Sequence, residues 1–431
     1  MGPRAPDLTA FAPHVEYIES LVHGSSALEQ AELGRSIKSA LDGEVAANLR
    51  RLVSLLNRRE LGAFFTGSTL RSRAVSDVRL LADRPCFADP TCGAGDLLIA
   101  AAEHLPLGEN LRETLSQWGE VLHGMDLQPL FIRATKARLS LLAQSRLGSF
   151  EPVNSNEWFP NIRVGNSLTE EWCPERCGGL LLNPPYGAMA APEDCGFGTG
   201  LVSAAAVFTF ATISKLPVGC VVRAILPDVL RAGTRYAKWR TEIAKILAIQ
   251  SISILGQFDS HTDVDVFLLS GTRGTSDTAR WTERASRISL GQFFKVRVGT
   301  VVPHRDEESG EDRPYLTART LSGKIEFDSA LAPRLRHLGH AFQPPFIVVR
   351  RTSRPGDEPR LNPTLIKGEE PVFVENHLLV LSPIHAHSCV EAVSILRSQS
   401  STDWMNARIR CRHLTVGALL DLPWQESGRE I

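Results

Sequence analysis

Asp89-Pro-Thr-Cys-Gly-Ala-Gly-Asp96 joins a short apolar run, residues 86–89, to an apolar helical stretch, residues 96–104. Gly93 and Gly95 let the backbone turn tightly and come close to a ligand, because neither carries a side chain. A tight structural turn would use the same two glycines. No Lys-Ser/Thr pair follows them, which argues against a phosphate-cradling P-loop. Outward from this loop, short apolar runs at 121–126, 179–182, 221–226, 252–255 and 264–269 alternate with helical stretches, among them 130–143 and 235–248. That alternation predicts an α/β fold with parallel strands and crossover helices. Ligands of such sheets sit at the carboxyl ends of the strands, so chemistry should gather there.

Before the sheet, Ile37, Leu41, Val45, Leu49, Leu52, Val53 and Leu56 recur at helical spacing and predict one amphipathic helix over 36–57. With a second helical stretch over 15–33, residues 1–60 form a helical N-terminal region, followed by the α/β region at 61–275. A polar stretch, 271–280, reads as a linker, and 304–313 reads as a further polar loop. Residues 285–431 read as an α+β domain, with strands at 346–350 and 377–381 and a helix at 387–399.

The 431 residues, 43% hydrophobic and 22% charged, suit two or three folded domains. No apolar run reaches the ~20 residues of a membrane span, and the first residues lack the apolar centre of a signal peptide. A cytoplasmic protein away from membranes is expected. The net charge of −1 does not announce a nucleic-acid binder, although a basic surface can be confined to one cleft. Cys173 and Cys177 lack two further ligands nearby, so no metal site is expected.

Two more motifs follow the glycine loop. His123-Gly-Met-Asp126 puts an acid at a strand end, where a carboxylate can accept hydrogen bonds from both hydroxyls of a ribose. A helix between Asn110 and Trp118 would account for the long gap between loop and acid. Leu181-Leu-Asn183-Pro-Pro-Tyr186-Gly187 is the sharper signal. Its prolines fix φ and donate no hydrogen bonds. The Asn183 side-chain oxygen and the Pro184 carbonyl can together accept both protons of an amino group. The Tyr186 ring offers a face for stacking.

In this order the three motifs resemble the class I methyltransferases that use S-adenosyl-L-methionine, with a Rossmann-like, mostly parallel sheet. Asn183-Pro184-Pro185-Tyr186 resembles the catalytic motif of those acting on planar amino groups. Gly62-Ala-Phe-Phe65-Thr66-Gly67 resembles the Phe-Thr-Pro motif of the adenine-N6 DNA methyltransferases with the gamma (N-12 type) motif order, found in restriction–modification systems. Gly67 stands where that family has Pro. Phe258, after Leu255-Gly-Gln, matches a Phe that packs on the flipped adenine, although an ordinary core aromatic would look the same. Asn166 stands where the family often has an acid near the cofactor adenine.

The resemblance implies cofactor binding by Phe65, Thr66, Asp89, Pro90, Cys92, Gly93, Gly95, Asp126, Asn166 and Asn183. It implies base contact by Tyr186 and Phe258, and methyl transfer to N6 of an adenine flipped out of double-stranded DNA. Residues 285–431 stand where the family has its target-recognition domain. There Arg350, Arg351, Arg354 and Lys367 are candidate DNA contacts. Arg408, Arg410 and Arg412 alternate, and in a strand they would share one face. No nuclease constellation is evident, so any restriction activity would need a separate endonuclease or defence-system subunit. The alternatives are an RNA guanine-N2 or protein glutamine methyltransferase, and a non-catalytic DNA-binding module descended from a methyltransferase.

Overall fold

The computed structural model describes residues 7–24, 30–76, 86–172, 175, 177–193, 195–259, 262–275, 281, 282, 288–303, 305, 309–384 and 389–424. Cys173, the end of the 271–280 stretch, part of the 304–313 loop and the first two residues of the expected helix at 387–399 lie outside them. The chain divides into two units, Met1–Arg280 and Trp281–Ile431.

The first unit begins with helices α1 (Ala12–Val22), α2 (Gln30–Leu41), α3 (Glu44–Leu52), α4 (Leu55–Leu61) and α5 (Ser68–Ala74). The single helix expected over 36–57 is three. Gly43, at φ 81°, takes a left-handed turn that ends α2 and starts α3. Ser54 then caps α4, its hydroxyl accepting the Asn57 N–H at 3.2 Å. Ile37, Val45, Leu49 and Val53 are buried on either side of the first break, whereas Leu56 of α4 is exposed, so its place in the apolar spacing is fortuitous and periodicity alone could not reveal the breaks.

Strands β1 (Phe87–Asp89), β2 (Leu122–Asp126), β3 (Ile162–Val164) and β4 (Gly179–Leu182) come next. After a hairpin of β5 (Ala188–Ala190) and β6 (Leu201–Ser203) follow β7 (Val221–Pro227), β8 (Leu247–Asp259) and β9 (Thr262–Arg273). Seven of them form one sheet in the order β3-β2-β1-β4-β7-β9-β8. β1 pairs in parallel with both β2 and β4, Phe87 standing between Leu122 and Gly179. From β1 the chain winds outward to β2 and β3, then returns to lay β4 and β7 on the other side. The strand order reverses between β1 and β4, which opens a crevice above their carboxyl ends.

Of the last two strands, β9 alone departs from the parallel expectation: it runs antiparallel to β7 and to β8, so β8 points the same way as β7. Both are longer than the runs at 252–255 and 264–269: β8 is the exposed edge of the sheet, and β9 continues past its buried middle into half-buried or exposed residues at each end, which dilutes the apolar signal. Gly271 belongs to β9, paired with Val222 and Ile249, and not to a linker. A Cβ there would stand 2.6 Å from the Ala248 carbonyl oxygen, so close strand packing explains the glycine. β3 and the β5–β6 hairpin, three residues per strand, are too short to leave a pattern.

Helices α6 (Asp96–Ala102), α7 (Leu111–Val121), α8 (Pro129–Leu147) and α9 (Ser155–Trp158) pack beside the first strands. α10 (Ala204–Lys215), α11 (Asp228–Ala232) and α12 (Ala237–Ile246) follow. α7 is the helix that lengthens the path from glycine loop to Asp126, and Asn110 caps it. Leu98, Trp118, Leu139, Phe159 and Leu181 are in the core beneath the sheet's carboxyl edge. Phe11, Ile18, Leu49, Phe131 and Ala137 form a second core that fastens α1–α3 to α8.

The second unit contains a five-stranded sheet of β10 (Phe294–Val298), β17 (Leu378–Pro383), β14 (Phe346–Arg350), β15 (Pro363–Lys367) and β12 (Glu326–Asp328), in that spatial order. A three-stranded sheet joins β13 (Arg334–His337), β11 (Glu311–Leu316) and β16 (Phe373–Val374). Helices α13 (Cys389–Arg397), α14 (Gln399–Arg408) and α15 (Val416–Leu420) complete it. The expected polar loop at 304–313 therefore ends inside a strand, β11. Arg408 closes α14, and Arg410 and Arg412 lie in irregular backbone, so the three share no strand face. The alternating pattern there comes from a helix running into a loop.

Candidate active site

The loop between β1 and α6 is shaped by its glycines. Gly93 and Gly95 have φ of 52° and 88°, where a side chain would be strained. A Cβ on Gly95 would lie 2.7 Å from Thr135 Cγ2 of α8. The Thr135 hydroxyl donates to the Gly93 carbonyl at 3.0 Å, so α8 holds the loop from behind. Fully buried Arg138 holds it again. Its guanidinium meets Asp96 at 2.9 Å and donates to the carbonyls of Ala94 at 2.5 Å and Ala40 at 2.8 Å. The glycine loop and the N-terminal helices are thus tied to one cation.

Two carboxylates face this loop. Asp126, at the end of β2, accepts the Gly93 N–H at 3.1 Å on one oxygen and the Gln128 N–H at 2.8 Å on the other. Burial lifts its pKa to about 6, against the lowering effect of those bonds. Asp89, at the end of β1, accepts the Thr91 N–H at 3.1 Å and is more deeply buried. Burial first, and the nearby Asp126 charge second, push its pKa to about 8.

Across the crevice, β4 delivers Asn183. Its amide nitrogen donates to the Thr66 hydroxyl at 2.9 Å and the Phe64 carbonyl at 3.3 Å. The amide plane is thereby fixed and its oxygen set as the acceptor. The Tyr186 hydroxyl donates to that oxygen at 2.8 Å and also lies 3.3 Å from the Ile225 carbonyl. Burial pushes the Tyr186 phenol well above its ordinary pKa, so it stays a neutral donor. A carbonyl oxygen has two lone pairs, and one on Asn183 remains for another partner. Gly62 packs against the proline pair: a Cβ there would stand 2.2 Å from Pro185 Cβ.

Between the two walls lies a cavity of about 280 Å³. It brings together Phe65, Thr66, Asp89, Pro90 and Cys92 with Gly93, Asp126, Asn166, Asn183 and Pro185. Asn166 turns its side-chain oxygen back onto the Leu168 N–H at 3.1 Å. Gly95, Pro184, Tyr186 and Phe258 do not line the cavity. Tyr186 and Phe258 pack edge to face beside it, ring centres 5.8 Å apart. Sequence reasoning missed Thr135 and Arg138 and gave no role to Gly62 and Phe64 within the 62–67 stretch; all four act on the site through contacts distant in sequence.

The seven basic candidates all belong to the second unit. Lys367 pairs with Glu326 at 2.5 Å and Arg408 with Asp421 at 2.7 Å. Arg350 donates to the Ala318 carbonyl at 3.3 Å, and Arg354 is exposed. Arg351, Arg410 and Arg412 are half-buried, and the Arg412 carbonyl accepts the Ser353 N–H at 2.9 Å. No helix among the described residues is long and apolar enough to cross a membrane.

No protein-family model and no curated protein matches the chain. Among solved structures it is similar to the Type IIL restriction-modification enzyme MmeI, determined in complex with DNA, at 11% identity and a TM-score of 0.58. That match covers 97% of this chain and 81% of the other. A second match, assigned as a modification subunit of a type I restriction enzyme from Vibrio vulnificus, has 20% identity and a TM-score of 0.39. It covers 58% of this chain, which spans only 51% of the length of that subunit. A third, assigned as a class I S-adenosylmethionine-dependent methyltransferase from Listeria monocytogenes, has 15% identity and a TM-score of 0.38, covering 63% of this chain and 84% of the other. The first unit is an α/β fold with a seven-stranded, mostly parallel sheet in which β9 is antiparallel.

Proposed function

We propose that this protein is an S-adenosyl-L-methionine-dependent DNA methyltransferase that modifies N6 of a flipped-out adenine. In this reading residues 61–275 catalyse the transfer and residues 285–431 read the DNA. The observation that carries the proposal is the Asn183 amide, locked by Thr66 and Phe64 at the rim of a cavity whose opposite wall holds Asp89 and Asp126.

The cavity suits the cofactor's chemistry. A sulfonium and an ammonium are cations, and desolvated carboxylates such as Asp89 and Asp126 favour a positive charge beside them. When bound, S-adenosylmethionine supplies an electrophilic methyl group. Asp126 presents its remaining lone pairs to ribose hydroxyls, and Phe65 covers the glycine loop, 3.0 Å from where a Gly93 Cβ would be.

The Asn183 oxygen accepts one proton of the adenine amino group, and the Pro184 carbonyl accepts the other. Accepting both draws the nitrogen lone pair out of conjugation and fixes its direction, so alignment supplies much of the catalysis. The base must first leave the duplex stack. Tyr186, bonded to the Asn183 oxygen and backed by the buried Phe258 ring, is the aromatic placed to replace part of the lost stacking, at roughly 1–3 kcal/mol per stacked base.

The test is transfer of tritiated methyl from S-adenosylmethionine to unmethylated duplex DNA, to RNA and to a release factor, with analysis of the labelled product. N6-methyladenine in DNA is the expected result. Label in RNA guanine or protein glutamine would replace the substrate class, and DNA binding without label would leave only the non-catalytic module.

A further inference from the structure

The basic residues of the second unit do not all have the same surroundings. Arg334 is held by Asp312 and Glu370, Lys367 by Glu326, and Arg408 by Asp421. These charges are already compensated within the fold. Lys324, Arg350 and Arg397 behave otherwise: none has an ion pair with a carboxylate among the described residues. All three line one cavity of about 260 Å³.

Its floor is one face of the five-stranded sheet. Val348 stands opposite Thr364, and Arg350 stands opposite Leu378, so these four side chains project to the same side. The lysine wall is fixed to that floor. The Thr364 hydroxyl donates to the Lys324 carbonyl at 2.6 Å, and the Leu365 N–H donates to the Ile325 carbonyl at 2.8 Å. The Lys324 ammonium lies 4.3 Å from the Phe327 ring centre, which positions it without neutralising it. Arg397 closes the other side as the last residue of α13. No aspartate or glutamate lines the cavity.

Three uncompensated cations converging on one polar, pinned cavity leave a net positive site that an anion can neutralise. We infer that this cavity binds a phosphate group, and that the phosphate is one of the nucleic-acid backbone. The second clause rests on the DNA reading above; the first rests on the cavity alone. A guanidinium fork and an ammonium together suit a phosphate, with Arg350 and Arg397 as fork donors and Lys324 as point charge. Such a contact fixes register along the duplex and carries no sequence information itself. Its signature is therefore salt dependence.

The experiment is fluorescence anisotropy of the full-length protein on a labelled duplex at several salt concentrations. It compares wild type with the Lys324→Ala/Arg397→Ala double variant and with Lys295→Ala, an exposed charge on another strand. Thermal melting confirms that each variant folds. The slope of log K against log salt should fall in magnitude by about one for the double variant, as expected for one lost phosphate, and be unchanged for Lys295→Ala. The loss of affinity should be similar on every DNA sequence. Equal slopes in all three proteins would overturn the inference, and methyl transfer to DNA in the same preparation would show the DNA reading intact.

A second arm separates the sources of phosphate. Inorganic phosphate should protect Arg397 from phenylglyoxal modification, read by peptide mass, in wild type and less so in Lys324→Ala. Protection without any binding of the chain to DNA would keep the phosphate site and overturn the nucleic-acid source. Absence of protection together with an unchanged slope would overturn both clauses.

Discussion

The two walls of the cavity are built from opposite materials. The β1–β2 wall carries carboxylates, Asp89, Asp96 and Asp126, backed by the buried guanidinium of Arg138. The β4 wall presents a neutral amide, Asn183, backed by the Thr66 hydroxyl, the Tyr186 phenol and a proline pair seated on Gly62. A wall of buried charge can hold a cationic ligand, and its protonation state then matters. A wall of fixed neutral dipoles can direct a lone pair without any change of protonation. The walls should therefore fail differently.

The largest effect is expected where the charged wall is propped. Arg138→Met leaves Asp96 and the Ala40 and Ala94 carbonyls without their donor in the interior. It should cost about 3–5 kcal/mol, the range for breaking a buried pair. Chemical denaturation would measure it, and a cost below about 1 kcal/mol would show that the loop does not depend on this cation. On the neutral wall, Gly62→Ala at φ 62° places a methyl into Pro185 and should cost roughly 1–3 kcal/mol. Its diagnostic is a loss of transfer larger than the loss of cofactor affinity, since Pro185 must move and Asn183 with it.

Asp126→Asn removes charge but keeps shape. Cofactor affinity by calorimetry should fall about tenfold, close to 1.5 kcal/mol, the scale of a charged hydrogen bond. Transfer at saturating cofactor should change much less.

The walls also differ in their response to pH, because only the charged one carries acids with shifted pKa values near neutrality. Both acids have folded pKa values raised above the unfolded value near 4, to about 6 for Asp126 and about 8 for Asp89. The ligand-free fold therefore binds more protons than the unfolded chain between these limits, and its stability falls as pH rises from about 4 to about 8. A cationic ligand reverses this, because it favours the ionised acids. Affinity for the cofactor should tighten from pH 5.5 to 8.5, and Asp89→Asn should flatten the upper part of that rise. A pH-independent affinity would remove the carboxylates from the binding account.

The sequence exposed those parts of the site that are local. Gly93, Gly95 and the Asn183-Pro-Pro-Tyr186 run advertise themselves because unusual backbone needs unusual residues, and each falls where an apolar strand stops. Asp126 was legible by the same logic. What backs these groups was not. The Thr66 hydroxyl reaches Asn183 across 117 residues, and Arg138 reaches Ala40 across 98. No periodicity records such pairs, and an arginine inside a helical stretch reads as a surface residue although α8 is buried on nearly every side. The fold shows the same division. Its central strands, buried on both faces, were legible as apolar runs, whereas β8 is a largely exposed edge and β9 is buried only in its middle, so both were shortened. In the second unit residue type was legible but pairing was not, so Lys367 and Arg408 looked as available as Arg354, while Lys324 and Arg397 were passed over.

The most direct test of the account is single-turnover methyl transfer to duplex DNA by Asn183→Ala, with cofactor binding measured on the same protein. The account predicts that transfer falls by at least ~10²-fold, the scale of losing one fixed dipole at a reacting centre. Cofactor affinity should change by less than about 1 kcal/mol, a single hydrogen bond at most. Transfer by this variant within a few-fold of wild type would contradict the claim that the locked Asn183 amide directs the reacting nitrogen.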